Sequence, residues 1–169
     1  MLPLGASIDI VPGIAPLDLQ TARTGDYVSL KDAEGVLIVI FKGAGTAADD
    51  PLFTLSQATT VAGGGAKAAA VIDTIYKKQA ADLTALGVWS KVTQAPATTF
   101  QADGTSAEEQ AVYAIAVPAA RLDVDNGFDC VSLSCADTGL NAQLGCVLYI
   151  LYGLRNQDHP ANLASRIVD

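Results

Sequence analysis

The chain has 169 residues, 50% of them from the hydrophobic set but only 17% charged, and a formal net charge of −8. That length fits one domain, and a charged fraction below the roughly 25% of average soluble proteins leaves more apolar surface per charge than a solitary globule needs. Lys and Arg are scattered singly except for Lys77-Lys78, so no basic stripe exists to neutralise a phosphate backbone, and nucleic acid is excluded as an expected partner.

From Met1 to Gly25 the sequence is apolar, poor in charge and punctuated by Pro3, Pro12 and Pro16. This composition suits an extended N-terminal arm over residues 1–25 that lies on a partner, with Ile8, Ile10, Ile14 and Leu17 as candidate contacts; an ordinary edge strand folded onto its own domain is the alternative. No secretory signal is visible, since the first basic residue is Arg23. The longest apolar runs, Val36 to Phe41 and Cys146 to Tyr152, fall far short of the roughly 20 residues of a membrane-spanning helix. A soluble product made in the cytoplasm, with no membrane partner, is expected.

Residues 26–169 read as a single β-rich domain. Asp26 to Lys31 alternates, residues 32–35 turn, and Gly35 to Lys42 is a continuous β-branched run, which predicts a hairpin whose second strand is buried on both faces. Leu52 to Gln57 alternates and predicts a strand. Residues 66–86 fit a helix face through Val71, Ile72, Ile75 and Tyr76, or a strand face through Ile72, Thr74 and Tyr76. The Gly63-Gly64-Gly65 break before it and the strand-rich surroundings favour a strand over Val71 to Lys77.

Val88 to Thr93, Thr98 to Gln101 and Gln110 to Val117 are further strands, with a turn at Asp103-Gly104. Asn126-Gly127 is the strongest hairpin signal and predicts a type I′ turn joining Leu122–Asp125 to Phe128–Ala136. Cys146 to Tyr152 is the last strand, ahead of an irregular tail. Eight or nine short strands with glycine-rich turns predict an all-β fold, a β-sandwich or jelly-roll-like barrel.

No motif assembles a catalytic centre. Ala62-Gly-Gly-Gly-Ala-Lys67 lacks the Lys-Ser/Thr pair that a phosphate loop needs for its magnesium. Asp123, Asp125 and Asp129 do not follow calcium-loop spacing and read as a solvated hairpin tip, with Arg121 or another subunit's lysine expected close to the aspartates. The lone His159 precedes Pro160 in a polar tail, Glu108-Glu109 point apart as neighbours, and no Gly-x-Ser-x-Gly elbow accompanies a serine. Cys130, Cys135 and Cys146 lie in apolar runs and read as buried free thiols. Hence no cofactor, no metal and no enzyme activity are expected, a small β-barrel enzyme or ligand binder being the alternative from another class. Trp89, Phe128, Tyr149 and Tyr152 read as core or interface anchors, and Tyr152 and Arg155 join the candidate interface residues.

The order of segments resembles small virion structural proteins of tailed bacteriophages, of the capsid cement or decoration type. The resemblance is carried by Tyr27-Val-Ser-Leu-Lys31, Gln57-Ala58 leading into Gly63-Gly-Gly-Ala-Lys67, Gly87-Val-Trp-Ser-Lys-Val-Thr93, Leu122-Asp-Val-Asp-Asn-Gly-Phe-Asp129 and Ala142-Gln-Leu-Gly-Cys-Val-Leu-Tyr149. It spans most of residues 26–155. It implies a protein on the capsid surface that clamps neighbouring subunits of the major capsid protein in an expanded head, as a homotrimer. A tail, neck or head-fibre component is the alternative within the same vocabulary.

Overall fold

The computed structural model describes residues 4–80, 84, 87–102, 109–155 and 165–167. These form two antiparallel sheets. The larger has six strands in the order β1 (Ile8–Asp18), β11 (Leu144–Tyr152), β3 (Gly35–Lys42), β9 (Gln110–Pro118), β6 (Ile72–Ala80) and β7 (Ser90–Ala97). The smaller runs β2 (Val28–Ser29), β10 (Cys130–Cys135), β4 (Leu52–Ala58) and β5 (Lys67–Ala68), with β8 (Thr99–Gln101) also paired to β4. The all-β class and sandwich are as expected, and residues 72–80 are strand rather than helix.

Two inner faces close the core. Val36, Ile38 and Ile40 of β3, Ile115 and Val117 of β9, and Val147, Tyr149 and Leu151 of β11 meet Phe53 and Leu55 of β4 and Val131 and Leu133 of β10, all at most 1% exposed. Alternation explains the selection, because side chains two apart share a face of a strand. Phe100 meets Tyr113 edge-on at 5.0 Å.

Tyr149 ties the sheets together. On one side β10 pairs fully with β4, but on the other it meets β2 only at Cys130 and Val131, and Arg23 at Cys135. The Leu133 N–H lies in the gap, and it donates to the Tyr149 hydroxyl at 2.8 Å. The ring reaches that hydroxyl position by passing over Gly13, where an added Cβ would come within 2.6 Å of it. Burial pushes the Tyr149 phenol up to about 12, opposed by the Leu133 hydrogen bond.

Several local expectations are corrected. Residues 4–25 are not a separate arm but follow the edge-strand alternative, since Ile8–Asp18 is an edge strand paired with β11, and Val11, Ile14 and Leu19 are buried in the common core. Residues 26–42 are not a hairpin, because β2 pairs with β10 in the smaller sheet while β3 lies in the larger. β3 is buried on one face only, Phe41 being 47% exposed.

Asn126-Gly127 ends a 3₁₀ turn over Val124–Asn126 instead of a type I′ hairpin, and only Gly127 has positive φ, at 79°. The local competitor is Asp123, whose carboxylate accepts from the Asn126 side chain and whose carbonyl accepts from Phe128 N–H. Arg121 does not face Asp123 or Asp125; it pairs with Asp73 at 2.8 Å, and Asp123 is paired with Lys67.

The two edges of the larger sheet differ. β1 carries Pro12 and Pro16, two register shifts, and a Gly13 carbonyl that already accepts from Asp26 N–H. Among the described residues the outer edge of β7 has no strand beside it, and Ser90 to Thr93 are all exposed.

Candidate interface on the outer face of the six-stranded sheet

From β1 across to β9 the outward residues of the larger sheet are largely apolar, like the inward ones. Register places Pro12, Leu148, Val39, Ala114 and Tyr76 in one row across five strands. The next rows hold Ile10, Ile150 and Leu37 on one side, and Cys146, Phe41 and Val112 on the other. Solvent reaches them: Ile10 is 50% exposed, Phe41 47%, Tyr76 42% and Leu148 39%. A solvated antiparallel face ordinarily alternates to polar, so this face is a candidate contact surface. Five strands spaced about 4.8 Å apart, over three rows and their flanks, give a patch on the order of 500 Å². That lies toward the upper end of single apolar patches on monomers, about 300–600 Å².

Two shallow grooves cut into this face. One of about 360 Å³ is floored by Leu37 and Ala114 between the rings of Tyr76 and Trp89, with Lys78 Nζ 5.1 Å from the Trp89 ring centre. The other, about 500 Å³, lies at the opposite strand ends between Pro16, Leu17, Phe41, Leu144 and Cys146. Lys42 also lines it. This lysine is 2% exposed, and its ammonium donates to the Gly43 carbonyl at 3.0 Å and the Glu109 carbonyl at 2.7 Å. Its hydrogen bonds staple β3 to the start of β9.

Charge on this face is confined to its ends. Lys78 and Lys91 stand on the β6–β7 side, Lys91 directly opposite Tyr76. At the far corner Asp18 pairs with Leu144, and its carboxylate accepts from the Gln143 and Gln20 N–H groups, which hold its pKa down.

The predicted contact residues divide. Ile8, Ile10 and Tyr152 lie together on this face, Ile8 opposite Tyr152 and Ile10 one row along. Tyr152 covers Gly35, and burial raises its pKa, with Glu34 adding to the effect. Ile14 is 5% exposed and belongs to the core, and Leu17 packs partly against it. Arg155 is exposed, with its N–H on the Asp32 carbonyl. Trp89, expected as a core or interface anchor, lies on this face, and Phe41, Leu148 and Tyr76 are exposed residues of it that the sequence did not single out.

The remaining motifs take structural roles. Lys67, after the glycine turn, pairs with Asp123 and sits 4.0 Å over the Phe128 ring. Glu109 accepts from Gln79 at 2.8 Å. Cys130 and Cys135 are buried free thiols, and burial pushes Cys135 up to about 11. Among the described residues no cluster of His, Cys, Asp and Glu could hold a metal ion, and no helix is long and apolar enough to cross a membrane. His159, Glu108, the Asp103-Gly104 turn and most of the tail lie outside the described residues. Comparison with protein-family models, curated proteins and solved structures gives no match.

Proposed function

We propose that this chain is a structural virion protein that binds the outer surface of an expanded phage capsid and cements neighbouring major capsid subunits. The observation that carries the reading is the apolar outer face of the six-stranded sheet between β1 and β9, charged only at its Asp18 corner and backed by the second sheet of the sandwich. Burying such a face against a neighbouring protein releases water from apolar surface, and a ligand that binds only the expanded shell stabilises that shell by mass action. The resemblance of residues 26–155 to cement proteins supplies the identity of the partner, and trimerisation belongs to the same reading.

The test is the copy number of the chain in purified particles, by quantitative mass spectrometry against the major capsid protein. A near-equimolar ratio supports a shell-wide cement. A handful of copies moves the protein to the neck, tail or head fibre, and absence removes the virion reading.

A further inference from the structure

The apolar face has no means of choosing a direction by hydrophobic contact alone, because burial of apolar area is non-directional. Its charges do have a direction. Lys78 and Lys91 project from the same face at one end, on neighbouring strands, around the Tyr76–Trp89 groove. Lys77, next to Lys78 in the sequence, belongs to the opposite parity: it pairs with Ser90 and Tyr113, and Tyr113 is buried in the core. The chain as a whole is strongly acidic, at −8, so a lysine pair beside the apolar face stands out against the surrounding field.

We infer that Lys78 and Lys91 orient the docking of this face, and that the partner is a protein surface with an apolar centre and a carboxylate rim on the side that meets β6 and β7. The inference rests on the proposed capsid docking and specifies its polarity. An apolar side chain of the partner fills the groove between Tyr76 and Trp89, and carboxylates approach the two ammonium groups from beside it. Rim charges of this kind act mainly on association rate and register, while the apolar rows supply the buried area.

The experiment uses the full chain and expanded shells of its phage that lack it, with binding followed over time. Wild type is compared with Lys78→Glu, Lys91→Glu, the double reversal, Lys77→Glu and Phe41→Asp, each checked for an unchanged melting temperature. The double reversal is expected to slow association about tenfold at about 0.1 M salt, and the difference to close near 1 M, where the Debye length is about 3 Å. Lys77→Glu is expected to stay within about twofold of wild type, because the charge it reverses faces away.

Equal slowing by all three single reversals would reduce the effect to net charge and overturn the inference, as would a double reversal that binds like wild type. Lys91→Glu alone decides the case if Lys78→Glu disturbs the Trp89 ring. Failure of wild type to bind the shells, or undiminished binding by Phe41→Asp, overturns the docking reading itself.

Discussion

Replacing Tyr149 with Phe tests whether one hydroxyl joins the two sheets. The ring keeps its volume and its place over Gly13, so the change removes a single acceptor from the core. The Leu133 N–H is then left in a gap between β2 and the Arg23 bridge, with no ladder partner on that side. An unsatisfied buried donor costs about 1–3 kcal/mol. At about 2–4 °C per kcal/mol for a chain of this size, a cost of about 2 kcal/mol lowers the melting temperature by about 4–8 °C. Urea unfolding of both proteins gives the second readout, with the midpoint lowered and the slope unchanged. A melting temperature within about 1 °C of wild type would refute the bridging role, because it would mean the Leu133 amide is satisfied without the hydroxyl.

The same phenol gives a pH signature. Its folded pKa of about 12 lies above the ordinary value of 10.0, so between those values the unfolded chain loses this proton and the folded one keeps it, and stability falls as pH rises through that window. Melting from pH 9 to 12 should show wild type losing its advantage over Tyr149→Phe; a constant gap would contradict the assignment. Thiol labelling at pH 8 should modify Cys146 first, since Cys130 and Cys135 are each 2% exposed and Cys135 is pushed up to about 11; early modification of Cys135 would contradict the burial order. Deletion of residues 1–25 should abolish cooperative melting, because it strips β1 from β11 and removes Val11, Ile14 and Leu19 from the core; a truncated protein with an intact transition would restore the separate arm.

The strands themselves were legible, because β-branched and aromatic runs bounded by glycine or proline mark β3, β4, β9 and β11 with little competition. Partner choice was not. Whether Tyr27–Lys31 turns back on Gly35–Lys42 or crosses to the other sheet depends on long-range pairing, and local alternation carries no record of it. Asn126-Gly127 misled because Asp123 offers the backbone a tighter local turn. The candidate interface was written in the sequence under another reading. Val36–Phe41 and Cys146–Tyr152 are apolar at both parities, a pattern shared by a strand buried on two sides and by a strand whose second side awaits a partner.

The contrast between the two sheet edges gives the molecule a growth polarity. A stray strand finds at β1 two prolines without N–H groups, an irregular register and a carbonyl already taken by Asp26; at β7 it finds exposed residues from Ser90 to Thr93, with Lys91 as its charge and Pro96 further along. Edge-templated aggregation therefore starts at one side of the plate and is poorly propagated from the other. A charge or a proline placed on β7 would improve the shelf life of concentrated protein more than any change to β1.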